Sequence, residues 1–201
     1  LMRNMFYKCS KLVSIDVSKF KTSNVENMYQ LFAYCLLLTS IKVSNFDTSK
    51  VTTMERMFFH CESLKSLNVS NFKTSKVESM RDLFGYCTQL TSIDLSNFDT
   101  SNVQSMRAIF ICASNLKFID LSFFNTSKVN TVYDLFYNCT SLVYINLYSF
   151  KIKNTTTKIQ VFKNVPNDTK ICIEDIDTKN YLLGFIKLLI VQIFVSNKIQ
   201  K

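Results

Sequence analysis

The sequence predicts an α/β repeat fold, a solenoid with short parallel strands on one face and helices on the other. Three observations predict it. The chain repeats itself every 26 residues: Leu90 recurs as Leu12, Leu38, Leu64, Leu116 and Leu142, and Phe98 as Phe20, Phe46, Phe72, Phe124 and Phe150. Phe110 recurs as Phe6, Phe32, Phe58, Phe84, Phe136 and Phe162. A fixed period of this size marks stacked repeats. Each copy then alternates apolar and polar residues before changing to apolar residues three and four apart, a strand period followed by a helix period. Finally, 2 Gly and 1 Pro in 201 residues leave no material for flexible linkers, so one repeat domain is expected.

Within a copy, Leu90, Ile93 and Leu95 give the spacing Leu-x-x-Leu-x-Leu of a leucine-rich-repeat strand. Ser92, Asp94 and Ser96 alternate with them and face the other way. Asp99, Thr100 and Ser101 turn the chain, and Ser101 with Gln104 fits a capping box, as do Ser23 with Glu26 and Ser75 with Glu78. Val103, Met106, Ile109, Phe110 and Ala113 then fall at helical spacing. Strands stack roughly 4.8 Å apart and helices roughly 8–10 Å apart. That mismatch predicts a curved sheet of about seven short strands, concave on the strand side and convex on the helix side.

Along the chain, residues 1–9 read as the tail of a repeat helix, because Met2, Met5 and Phe6 match Met28, Leu31 and Phe32. A chain that opens inside a repeat, with no signal peptide, reads as a piece of a longer protein. Strands are expected around Ile15/Val17, Ile41/Val43, Leu67/Val69, Ile93/Leu95, Ile119/Leu121, Ile145/Leu147 and Ile171/Ile173. Lys151 to Thr155 depart from the usual turn, while Val161 and Phe162 return to register. Residues 1–178 are assigned to the solenoid and 179–201 to a C-terminal apolar helix that caps it, with Leu188 at the Phe110 position. The run from Tyr181 to Val195 has a rival reading as a membrane anchor. Interrupted by Lys187 and Gln192, it falls short of the roughly 20 apolar residues a span needs.

Composition narrows the role. With 47% hydrophobic residues the chain can bury a substantial core. The formal net charge of +9 favours acidic partners. The lysines are spread over many repeats among Asp and Glu, so a solvated surface with a basic tilt is favoured over a groove for an anionic polymer. No Arg-rich run or nucleic-acid fold is present, so no specific nucleic-acid partner is expected.

Candidate chemistry is sparse. Cys9, Cys35, Cys61, Cys87 and Cys139 share one repeat position that Ala113 and Val165 fill elsewhere, which indicates a small apolar slot for buried thiols. Disulfides between coils are disfavoured because helix ends would hold the cysteines too far apart. No Cys-x-x-Cys pair occurs, so no metal is expected. His60 is the single histidine, and its dyad with Cys61 would point to different sides of a helix. Gly85 and Gly184 are isolated, so no phosphate loop exists. Neither an enzyme nor a cofactor is expected. Lys21, Asp47, Lys73 and Asp99 alternate in charge at one repeat position, a pattern suited to holding register.

The concave strand face is the candidate binding site. Its outward positions are Asp16, Lys42, Asn68, Asp94, Asp120 and Asn146, flanked by serines. Toward the C-terminal end polar positions become aromatic, at Phe118, Phe123, Tyr144 and Tyr148. Aromatic residues on a solvent-facing strand suggest a contact surface, against the plainer reading that they cover a core edge or meet the C-terminal segment. Sequons at Asn68, Asn125, Asn138, Asn154 and Asn167 are weak signals in a chain this rich in Asn, Ser and Thr.

Phe84, Cys87, Leu90, Ile93 and the run from Asp94 to Val103 (Asp-Leu-Ser-Asn-Phe-Asp-Thr-Ser-Asn-Val) form a pattern that resembles the 26-residue repeat of BspA-type leucine-rich surface proteins. The resemblance is strong to about residue 152 and weak to about residue 190. It implies a leucine-rich-repeat fold, a cell-surface or extracellular setting and a role in adhesion or other binding. The expected function is therefore a non-catalytic binding module of a surface adhesin, holding a protein or glycan on its concave face. The alternative is an intracellular repeat scaffold for protein–protein contacts.

Overall fold

The computed structural model describes residues 2–152, 157 and 159–183. Among the described residues are three strands, β1 (Phe118–Asp120), β2 (Tyr144–Asn146) and β3 (Lys170–Cys172), and one helix, α1 (Ile176–Leu183); the segments around Ile15, Ile41, Leu67 and Ile93, expected as strands, form none. The strands form one parallel sheet in the order β1-β2-β3, pairing Ile119 with Ile145 and Ile145 with Ile171. Register thus follows the sequence repeat, and Ile119, Ile145 and Ile171 point into the core.

Among the described residues the repeat helices expected on the opposite side do not form. Among the described residues each of those segments is a pair of tight turns. Leu31 N–H donates to the Met28 carbonyl and Cys35 N–H to the Phe32 carbonyl. Gln30 and Tyr34, third in their turns, have φ of 53° and 62°, the sign that marks type II geometry. The intervening N–H groups of Gln30, Phe32 and Tyr34 donate to the carbonyls of Glu55, Met57 and Phe59 in the next coil. Left-handed φ values recur at Arg56 and His60, Asp82 and Tyr86, Ala108 and Cys112, and Asp134 and Asn138.

The reason is spacing. Phe6, Phe32, Phe58, Phe84, Phe110, Phe136 and Phe162 stack in one column with centroids 5.3 to 6.0 Å apart and planes within 19°. Helices side by side need roughly 8–10 Å, whereas turns bonded to the next coil can match a strand repeat of roughly 4.8 Å. The mismatch that was to curve the stack loses its premise, and the two sides are called here the strand face and the turn face. The inward residues were nonetheless foreseen: Val103, Met106, Ile109, Phe110 and Ala113 are all buried. Two turns four residues apart turn the same side chains inward as a helix does.

Other expectations change with the helices. Ser101 and Gln104 cap nothing: Ser101 N–H donates to Asp99 Oδ1 and Gln104 N–H to the Glu78 carbonyl. Among the described residues Lys21, Asp47, Lys73 and Asp99 form no ion pair; the ion pairs are Arg56–Asp82 and Arg81–Asp82. Register is held instead by a buried threonine column. Thr48 Oγ1 donates to the Lys73 carbonyl and accepts from Lys73 N–H, and Thr22, Thr100 and Thr126 do the same to Asp47, Asn125 and Lys151. Each hydroxyl satisfies both backbone groups of one residue that no ladder reaches.

The thiols are free and mostly buried, though not because helices hold them apart. Cys35, Cys61, Cys87 and Cys139 donate S–H to the carbonyls of Phe6, Phe32, Phe58 and Phe110 in the preceding coil. Burial pushes the Cys35 and Cys87 thiols up to about 12.

At the C-terminal end α1 starts at Ile176 rather than 179. Asp175 Oδ2 accepts Thr178 N–H at 2.7 Å, the geometry of an N-cap, and buried Thr178 Oγ1 accepts Ile152 N–H. The expected cap beyond residue 183, Leu188 included, and the altered turn at 153–155 lie outside the described residues. No described helix is long and apolar enough to cross a membrane.

Candidate functional site on the strand face

The outward row of the strand face is first of all structural. Asp16, Asn68, Asp94, Asp120 and Asn146 each accept, through Oδ1, the backbone N–H two residues on, from Ser18, Ser70, Ser96, Ser122 and Tyr148. These are Asx turns that end the strand segment in each coil. Lys42 occupies the same row and has no oxygen to accept with. The N–H bonds from Ser18 and Ser96 hold the Asp16 and Asp94 carboxyls below the usual range. One oxygen or amide of each turn is thus committed to the chain, and the other remains outward.

The row of positions beside it changes character along the stack. Ser14, Ser40, Ser66 and Ser92 give way to Phe118, Tyr144 and Lys170. Paired strands form where that change occurs. Serine side chains compete with the ladder for backbone groups, whereas aromatic neighbours across strands support it. Within β1 and β2 the residues two apart share a face, so Phe118 and Tyr144 stand beside Asp120 and Asn146 as a two-by-two patch. Phe118 is 54% exposed and Val143, just before β2, 50% exposed. Tyr144 and Asn146 are half-buried.

The remaining expected residues lie around this patch. Phe123 is 65% exposed. It replaces an asparagine whose equivalents Asn45, Asn71 and Asn97 tie their coil to carbonyls of the preceding one, such as Phe20, Phe46 and Phe72. Tyr148 is half-buried and donates its hydroxyl to Glu174 Oε1. Asp16, Lys42, Asn68 and Asp94 are exposed on the same row but lie in earlier coils that carry no paired strand. The patch therefore gathers Phe118, Asp120, Tyr144 and Asn146, with Phe123 and Tyr148 at its margin.

Three participants were missed from sequence. Lys170 and Cys172 continue rows already recognised, and following those rows one coil further would have found them, whereas Val143 stands in the row of Thr91 and Lys117, which gave no such signal. Cys172 pairs with Asn146 at the C-terminal end of the row and is buried, and burial raises both its thiol and the nearby Tyr144 hydroxyl.

The turn face holds a different column. The His60 ring lies between Tyr34 and Tyr86 at 4.7 and 4.0 Å, and its Nδ1 is 2.7 Å from Glu62 Oε1. Among the described residues no group of three His, Cys, Asp or Glu is placed to hold a metal ion. Shallow hollows occur away from the strand face, one of about 410 Å³ lined by Lys76, Glu78, Asn102, Gln104 and Lys128.

Comparison with known proteins finds a family for the chain. A family model matches residues 1–94 and again 67–174, which together cover most of the chain. The chain belongs to that family, described as Mycoplasma protein of unknown function, DUF285. No curated protein matches the chain. Among solved structures, a leucine-rich repeat protein from Bacteroides ovatus is similar at 15% identity and a TM-score of 0.30. The alignment covers 95% of this chain and 63% of that one.

Proposed function

We propose that this member of the family is a non-catalytic binding module, part of a cell-surface adhesin, that holds a protein or glycan partner on its strand face. The observation that carries the reading is the change from Ser92 to Phe118 and Tyr144 in one outward row, with Phe118 left 54% exposed. A few exposed aromatic residues in a rigid frame commonly dominate an interface. The surface setting and the adhesive role come from the resemblance to BspA-type repeats. The test compares wild type with the Phe118→Ala/Tyr144→Ala double variant in capture of extracellular-matrix and cell-surface fractions. Circular dichroism of both proteins is matched. Weaker capture by the variant, by more than about 1 kcal/mol, supports the reading, and equal capture by both removes it. The same proteins offered to cytoplasmic fractions test the alternative, an intracellular scaffold using the same face.

A further inference from the structure

We infer that the two-by-two patch of Phe118, Tyr144, Asp120 and Asn146 takes a neutral glycan, with a sugar ring on the aromatic row and its adjacent hydroxyls on the Asp–Asn row. The inference rests on the proposed role of the strand face and names the class of partner.

The polar row supplies a matched pair. Asp120 Oδ1 is occupied by Ser122 N–H and Asn146 Oδ1 by Tyr148 N–H. Among the described residues no hydrogen bond uses Asp120 Oδ2 or Asn146 Nδ2. One outward acceptor and one outward donor therefore stand on neighbouring strands, roughly 4.8 Å apart at the backbone. A sugar hydroxyl is both donor and acceptor, so two hydroxyls on adjacent carbons can give a proton to Asp120 Oδ2 and accept one from Asn146 Nδ2. The Asx turns fix both side chains before any ligand arrives, which lowers the ordering cost of binding.

The aromatic row fits the same ligand. Phe118 and Tyr144 lie two residues back along the strands, roughly 6.4–6.8 Å from the polar row, about the breadth of one pyranose. Tyr144 is half-buried, while Phe118 stays open to solvent. An extended peptide is less suited. Such peptides commonly pair with an open sheet edge, whereas the backbones of β1 and β2 are already paired with each other and β2 with β3. Anchor residues of protein partners seek pockets, and the hollow lined by Lys76, Gln104 and Lys128 lies elsewhere. The one formal charge among the four residues is the Asp120 carboxylate, which repels a sulfated or uronic sugar and favours a neutral one.

The experiment titrates the full chain with a panel of neutral oligosaccharides of glucose, galactose, mannose and N-acetylglucosamine, followed by calorimetry and ligand-observed NMR. Binding of at least one member is expected, at least ten-fold weaker in Phe118→Ala and in Asp120→Asn. The second variant keeps the Oδ1 acceptor that Ser122 needs and changes only the outward oxygen, so the fold is retained. Lys76→Ala should bind as wild type does. Binding that survives Phe118→Ala and Asp120→Asn overturns the inference. A silent panel, with protein fractions still captured through Phe118 and Tyr144, overturns the glycan and leaves the binding module standing. A silent panel with no capture through this face removes both.

Discussion

One step of the stack shows how differently its two faces are fastened. On the turn face the N–H groups of Met54, Arg56, Phe58 and His60 reach the carbonyls of Ser79, Arg81, Leu83 and Gly85, and the Phe58 and Phe84 rings stack at 6.0 Å. On the strand face of the same step, Lys65 N–H reaches the Thr39 carbonyl and no paired strand forms. The turn face thus carries the denser backbone bonding between coils. The strand face is left to vary, and serine there becomes phenylalanine, tyrosine and lysine without loss of the frame.

The largest test of that division compares two phenylalanines. Phe84 is buried between two ring neighbours, so Phe84→Ala should cost roughly 3–5 kcal/mol. Phe118→Ala, on the exposed face, should stay within about 0.5 kcal/mol. Denaturant unfolding of both variants measures the contrast, and similar losses would erase it.

A smaller effect is expected of the threonine column. Thr48→Val keeps the shape but strands the N–H and carbonyl of Lys73, which Thr48 Oγ1 alone bridges. Leaving buried backbone groups unpaired costs about 1–3 kcal/mol. Ser92→Val on the strand face serves as the control and should be nearly neutral in the same melts. A loss in the control as large as that of Thr48→Val would place coil cohesion on both faces.

These tests touch features that differed in how legible they were. The 26-residue period, the inward side chains and the register of β1, β2 and β3 were all readable, because burial depends on spacing alone. The turn-face backbone was not. Val103, Met106, Ile109, Phe110 and Ala113 satisfy a helix and a pair of four-residue turns equally, and the left-handed positions carry Gln30, Tyr34, Arg56 and His60 rather than glycine. The aromatic patch was visible as a break in a serine row. Its polar half was seen too, but the Asx turns that leave one atom of each side chain outward follow from hydrogen bonds that only the folded chain displays.

Acid should separate the faces with opposite signs. Asp16 and Asp94 accept Ser18 and Ser96 N–H and titrate lower than in the unfolded chain. Their contribution is present above the unfolded value of 3.8 and is lost as pH falls through the folded ones. On the turn face burial raises Asp134, whose Oδ1 has no partner, so folding there is favoured as the carboxyl is protonated. Asp134→Asn should therefore melt higher than wild type at pH 7, with the gap closing as pH falls. Asp94→Asn keeps its turn acceptor and should lose less stability than wild type between pH 5 and pH 3. An Asp134→Asn gap that widened in acid would reverse the sign assigned to that face.

The smallest expected effect concerns backbone alone. Gln160 is exposed on the turn face with φ of 59°, a conformation that costs a residue with a Cβ roughly 1–2 kcal/mol. Glycine removes that cost but gives the unfolded chain more freedom, a penalty of about 0.5–1 kcal/mol. Gln160→Gly should therefore stabilise by about 0.5 kcal/mol, as the difference of those two terms. Lys117 is equally exposed on the strand face, where its N–H donates to Thr91 and its φ is not left-handed. Lys117→Gly gains nothing to offset the entropy and should destabilise by about 0.5–1 kcal/mol. Both sites are exposed and both variants introduce glycine, so little packing is lost at either and the sign of the change reports the backbone. Opposite shifts in denaturant midpoint at unchanged slope would tie the turn face to left-handed geometry. Destabilisation by both would mean that residues such as Gln160 adopt an ordinary helical φ in solution, and the helical turn face first read from the sequence would return.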